Sequence, residues 1–156
     1  MSITQNIIDK LKNQGVEPDL NQIKLVNALS DVKFYSNFSL KRFFLKESSF
    51  GIYIWGDVGR GKTLISKTYL ISIGRNDHKS FHYIELMDFI HNELNLNSGH
   101  KNPLKKVAIK LTKNTSIIFI DEFQVEDVAD AMIIGDLLQM VIAVSYTHLT
   151  LPTILR

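Results

Sequence analysis

Apolar residues recur along the chain in short blocks whose spacing alternates between helical and extended. Ile3, Ile7, Ile8 and Leu11 form one stripe at helical spacing, and Gly15 can close that helix. Pro18 and Asp19 open a second block, with Asp19 as N-cap, Gln22 three residues on, and Leu25, Val26 and Leu29 facing inward. The run Gly51-Ile52-Tyr53-Ile54-Trp55 is continuously apolar and bounded by glycine, which predicts a buried strand. A helix is expected from Leu64 to Ile73, stopped by Gly74, and a second strand from Ser80 to Glu85. Leu86, Phe89, Ile90, Glu93 and Leu94 make the next helical stripe, and Asn95 to Lys101 reads as a loop around Asn97-Ser98-Gly99. Asn102 then serves as N-cap with Pro103 at the first helical position, and Leu104, Val107, Ala108 and Leu111 recur at i, i+3, i+4 and i+7. The lysines at 101, 105, 106, 110 and 113 fall mostly off that stripe, as a solvated face would. Ser116 to Ile120 is an apolar strand ending at Asp121-Glu122, and Asp127 can cap a last helix through Leu138. Strands alternating with helices predict an α/β fold with a mostly parallel sheet.

Composition narrows the chemistry. At 156 residues, with 45% hydrophobic and 22% charged, the chain has the length and apolar content of a globular domain rather than a disordered one. It has no cysteine, which excludes disulfides, thiol nucleophiles and cysteine metal sites. The net charge of +2 is too small to argue for a nucleic-acid partner. Eight of the 15 aromatic residues lie between 33 and 55, interleaved with Lys33, Lys41, Arg42 and Lys46. Such a stretch can stack on single-stranded nucleic acid. The reading preferred here is packing against the adjoining sheet, because half-buried strands favour aromatic residues. The longest apolar stretch, Met132 to Val144, spans 13 residues and contains Asp136 and Gln139, whereas a membrane helix needs about 20. The N-terminus lacks the basic region of a secretory signal, and a cytoplasmic protein is expected.

The chemistry concentrates in two places. Gly56-Asp57-Val58-Gly59-Arg60-Gly61-Lys62-Thr63 matches the phosphate-loop pattern G-x-x-x-x-G-K-[ST] between an expected strand and an expected helix. Glycines let the backbone curl so that successive N–H groups can face phosphate oxygens, and the following helix presents its positive end to the same ligand. Lys62 is the cation for the β- and γ-phosphates, and Thr63 offers a hydroxyl to Mg²⁺. The second place is Asp121-Glu122 at the C-terminal end of an apolar strand, the edge where open α/β sheets bind ligands. Asp121 is the candidate Mg²⁺ carboxylate and Glu122 the candidate general base for an attacking water. The paired glutamate favours ATP hydrolysis, and the chain has no Asn-Lys-x-Asp guanine-reading motif.

These residues resemble a known group. GIYIWGDVGRGKT over 51–63, Phe81-His82 with His91, DEFQVEDVADAMI over 121–133, PDLNQ over 18–22 and NPLKKVA over 102–108 are similar to the ZapE cell-division ATPases and their mitochondrial relatives, a branch of the AAA+ group. The likeness runs from about residue 16 to about residue 142. It implies a P-loop NTPase fold, ATP and Mg²⁺ as ligands, and a ring-forming homo-oligomer in the full-length parent. For the bacterial members it implies association with the division ring protein FtsZ, and for the mitochondrial ones a role in protein quality control. His82 and His91 carry over as family positions without an assigned role. They are read as hydrogen-bonded core residues rather than metal ligands.

The resemblance also implies parts that do not follow here: a fourth strand ending in a polar sensor, an arginine finger and a C-terminal helical part. The expected organisation is a helical lead-in over 1–32, a partial P-loop ATPase core over 33–143 and a tail over 144–156 foreign to the fold. Three functions remain open on the sequence: an ATP-hydrolysing AAA+ enzyme of which this is the N-terminal part, a nucleotide-binding fragment without turnover, and a helicase-loader-type ATPase dependent on nucleic acid.

Overall fold

A computed structural model of the chain describes residues 2–32 and 51–147. The aromatic-rich stretch up to Phe50 and the tail from residue 148 lie outside the described residues. The described residues fall into two compact units, one holding 2–32 and 51–76, the other 77–147.

The first unit is built from α1 (Ile3–Asn13), α2 (Leu20–Ser30) and α3 (Lys62–Ser72), which pack on one another. Ser2 caps α1 by accepting from the Gln5 N–H at 3.2 Å, and Gly15 turns the chain out at φ 77°. The Asp19–Gln22 capping box forms as the spacing predicts, with Asp19 Oδ1 accepting from the N–H groups of Asn21 and Gln22, both at 2.9 Å. Ile7 and Leu11 of α1, Val26 and Leu29 of α2, and Ile65, Tyr69 and Leu70 of α3 are buried. Burial pushes the Tyr69 phenol up to about 12.

The strand expected over 51–55 does not appear in the described sheet. That sheet contains only β1 (His78–His82) and β2 (Ile117–Asp121). Tyr53 and Trp55 are 71% and 82% exposed, against the burial expected of them. An apolar run becomes a buried strand only when neighbouring strands and covering layers take it up, and apolar content alone does not supply those neighbours.

The second unit joins β1 and β2 to α4 (Tyr83–Leu96), α5 (Pro103–Thr112) and α6 (Val128–Thr147). β1 and β2 pair in parallel, in a register that sets His78 opposite Ile117 and His82 opposite Asp121. The first of these strands lies earlier than the spacing predicts, because the chain turns helical at Tyr83. There the Glu85 carboxylate accepts from the His82 N–H at 3.1 Å, and Leu86, Met87 and Ile90 fall on a buried helical face. β2 is half-buried rather than buried, as a strand in a two-stranded sheet must be.

Asn102 caps α5 with Pro103 at its start, as expected, accepting from the Lys105 N–H at 3.1 Å. Lys110 lies on the solvated face assigned to it, with its side chain 56% exposed. It pairs with the buried Glu93 carboxylate and lies 5.8 Å over the Phe89 ring, tying α5 to α4. Lys79 donates to the carbonyls of Lys110 and Leu111 at 3.2 and 2.8 Å, which closes the C-terminus of α5 against β1. Asp127 caps α6 by accepting from the Ala129 N–H at 2.6 Å. α6 runs beyond Leu138, because Val144 and the partly buried Met140 and Val141 continue the face begun by Ile134 and Leu137. No helix among the described residues is long and apolar enough to cross a membrane.

Candidate functional site

The glycine-rich loop lies in the first unit. Gly56, Gly59 and Gly61 have φ of 145°, 78° and 75°, conformations that side-chain-bearing residues rarely adopt. Gly61 is the N-cap of α3 and offers no side-chain acceptor, so the N–H groups of the first helical turn keep capacity for an external anion. Lys62 folds back over the loop and donates to the carbonyls of Gly56 and Asp57, both at 2.7 Å. Thr63 lies half-buried in the first turn of α3, while Asp57 and Val58 stand exposed at the tip of the loop.

Two residues that the sequence offered only as a helix cap also touch this loop. The Arg60 guanidinium pairs with Asp19 Oδ2 at 3.0 Å, and Gln22 Nε2 donates to the Arg60 carbonyl at 3.1 Å. Gln22 Oε1 meanwhile accepts from the Asp19 N–H at 2.8 Å. The N–H of Gln22 chiefly, with that of Asn21 and the Arg60 charge as lesser causes, holds the Asp19 carboxyl below its ordinary range against the opposing effect of desolvation. Their sequence signal was the D-x-x-Q spacing, which a helix start explains without reference to the loop.

The acidic pair lies in the second unit. β2 ends at Asp121, whose side chain is buried, and the chain then turns sharply at Glu122. Glu122 has φ 52°, in the left-handed region, and its N–H donates to Asp121 Oδ1 at 3.2 Å. Two adjacent carboxylates thereby receive opposite environments. Asp121 is held inside at the strand end, and Glu122 reaches into solvent with its side chain 78% exposed.

His82 Nδ1 lies 4.0 Å from Glu122 Oε2, and His91 Nε2 lies 3.1 Å from Asp130 Oδ1. Both histidines are about half exposed, so neither is the core residue expected. A histidine at the last position of a strand or on the outer face of α4 has its ring at the surface, whatever the polarity of the neighbouring positions. Beneath Glu122, Phe123 meets Tyr83 edge-on at 5.2 Å. The buried Tyr83 hydroxyl has no hydrogen-bond partner among the described residues, and its phenol is pushed up by burial first and then by the Asp130 and Asp127 carboxylates.

Each unit thus organises its own share of the expected site: Gly56 to Thr63 in the first, Asp121 and Glu122 in the second. No group of three or more histidine, aspartate or glutamate side chains among the described residues could hold a metal unaided. The donors present are the Thr63 hydroxyl and the buried Asp121 carboxylate, hard oxygens that suit Mg²⁺. That ion takes few protein ligands and completes its shell with water and nucleotide phosphates, so either oxygen taken by itself is a fitting ligand for it.

Comparison with known proteins gives a family for the chain. The model of the AFG1-like ATPase family matches residues 1–149. The cell division protein ZapE of Escherichia coli K12 is 34% identical over 93 residues, covering 60% of this chain and 25% of the relative. Lactation elevated protein 1 homolog B of Danio rerio is 30% identical over 105 residues, covering 57% of this chain and 20% of the relative. The chain therefore spans about a quarter or less of the length of these curated relatives. No solved structure matches it. With the family model covering nearly its whole length, the chain belongs to the AFG1-like ATPase family.

Proposed function

We propose that this chain carries the nucleotide-binding core of an ATP-hydrolysing enzyme of the AAA+ type. The observation that carries the reading is the loop from Gly56 to Thr63, with three glycines at positive φ, Lys62 folded across it and an uncapped α3 directly behind it. The loop N–H groups of Gly59, Arg60, Gly61 and Lys62 and the α3 N-terminus bind the β- and γ-phosphates. On binding, the Lys62 ammonium exchanges its two carbonyl partners for phosphate oxygens. Asp57 and Val58 form the outer rim. Thr63 and Asp121 are the proposed ligands of Mg²⁺, which would offset negative charge on the phosphate oxygens.

Glu122 orients the attacking water and takes its proton as the oxygen bonds to the γ-phosphorus. The bond from that phosphorus to the bridging oxygen breaks, giving ADP and phosphate. The exposed carboxylate of Glu122 suits a group that must meet water, and the buried one of Asp121 suits a fixed ligand.

For the whole protein we place this activity in cell division, with FtsZ as candidate partner and a homo-oligomer as the working form. The support is similarity to a relative named for that process. A soluble, cytoplasmic protein accords with this role.

A second reading is nucleotide binding without turnover by the chain as given. It is favoured by the absence of residues 51–55 from the described sheet, since that run would otherwise anchor the loop. Trp55 is exposed and adjoins Gly56, so its fluorescence serves as the probe. Titration of wild-type protein with Mg-ATP should change that signal, and Lys62→Ala should weaken binding at least tenfold. Equal affinity in the variant would sink the loop assignment. In the full-length protein Glu122→Gln should keep binding and lose turnover by about 100-fold or more. A signal in this chain without phosphate release would support the second reading.

A further inference from the structure

We infer that Asp19 and Gln22, beyond starting α2, are positioning residues that fix the phosphate loop in its anion-accepting conformation through Arg60. The inference rests on the nucleotide-binding reading of the loop and names what holds that loop in shape.

The two groups of the Gln22 side-chain amide are used in opposite directions. Its oxygen accepts from the Asp19 N–H at 2.8 Å, which belongs to the helix start. Its nitrogen donates to the Arg60 carbonyl at 3.1 Å, 38 residues away, which has nothing to do with the helix start. Asp19 divides its carboxylate in the same way. Oδ1 accepts from the α2 backbone, and Oδ2 receives the Arg60 guanidinium at 3.0 Å. Arg60 is therefore held by both its main chain and its side chain.

The consequence follows from the geometry of the peptide unit. The bond between Arg60 and Gly61 is trans and planar, so its carbonyl and the Gly61 N–H point in opposite directions. Pinning the Arg60 carbonyl on Gln22 fixes the Gly61 N–H pointing away from α2. A flip of this one peptide would exchange a donor for an acceptor at the position before Lys62, and an acceptor repels phosphate. Glycine at 61, which tolerates many backbone conformations, is where such a flip would be easiest. Gly61 also leaves room for the brace, since a Cβ there would meet Gln22 Nε2 at 3.3 Å.

The test uses substitutions that keep the helix cap and break only the brace. Gln22→Glu retains an oxygen for the Asp19 N–H, because glutamate is the usual capping-box partner, but sets a carboxylate against the Arg60 carbonyl. Asp19→Asn retains an N-cap oxygen and removes the charge facing Arg60. Thermal unfolding of the full chain reads the cap, and Trp55 fluorescence with Mg-ATP reads the loop.

The expected result is a Kd for Mg-ATP raised about 3- to 10-fold in Gln22→Glu, the scale of one lost hydrogen bond, with an unfolding midpoint near that of the wild type. Asp19→Asn should give a smaller rise, and added salt should narrow its difference from wild type. Wild-type affinity in both variants would overturn the inference while leaving the nucleotide-binding reading intact. Wild-type protein with no response to Mg-ATP would overturn both. If Gln22→Glu failed to fold, Asp19→Asn would decide alone, with unchanged affinity counting against the brace.

Discussion

Glu122 occupies a backbone conformation that costs a side-chain-bearing residue roughly 1–2 kcal/mol, with φ at 52° directly after the last residue of β2. The turn sets the direction in which the Glu122 carboxylate leaves the strand end. Had the strand continued, Glu122 would simply have pointed to the sheet face opposite Asp121. Replacing Glu122 by glycine should therefore raise stability by up to about 1 kcal/mol, read by thermal unfolding, while abolishing turnover in the full-length protein. Loss of stability on that change would mean that the conformation is not strained. At Asp19 the folded-state pKa is depressed, so its contribution to stability is fully present above the unfolded value near 4. That contribution is lost as pH falls through the lower folded value. A carboxyl titration followed by NMR should place the Asp19 midpoint below the ordinary aspartate value. The Arg60→Ala variant should move it partway back, since the backbone donors remain.

Among the elements, helices were far more legible than strands. The stripes at Ile7 and Leu11, at Leu86 and Ile90, and at Val107 and Leu111 are all buried in the structure. Of their starts, the sequence showed that of α5 at Asn102, whereas α4 begins at Tyr83 inside the span expected as a strand. Periodicity and caps are local properties, decided within one or two turns of chain. Ile90→Ala should lower stability by about 2–5 kcal/mol, because the side chain is fully buried in the core of the second unit. Asn102→Ala should cost about 1 kcal/mol through the lost cap of α5, and denaturant unfolding distinguishes the two sizes. The strand expected at 51–55 shows the converse. Its composition matches that of β2, yet only β2 has a described ladder partner. α6 runs past the expected Leu138 because Val144 continues the buried face at the helical spacing of Ile134, Leu137 and Val141.

At the scale of the molecule, the described chain has two compact units, each with its own buried side chains. Ile65→Ala should therefore speed amide exchange first in α1 to α3, and Leu137→Ala first in α4 to α6, as hydrogen exchange by mass spectrometry would show. Uniform acceleration across both units by either change would refute separate cores. The sequence by itself determined the helical stripes, their caps, the phosphate-loop pattern and the placing of two carboxylates after an apolar run. All are encoded in neighbouring residues. Only the tertiary structure decided that Gln22 reaches Arg60, that Lys110 serves a buried Glu93, and that His82 and His91 lie at the surface beside carboxylates. These are contacts between segments far apart in sequence or on different elements. They depend on how packed elements bring side chains together, and no local pattern of polarity fixes that.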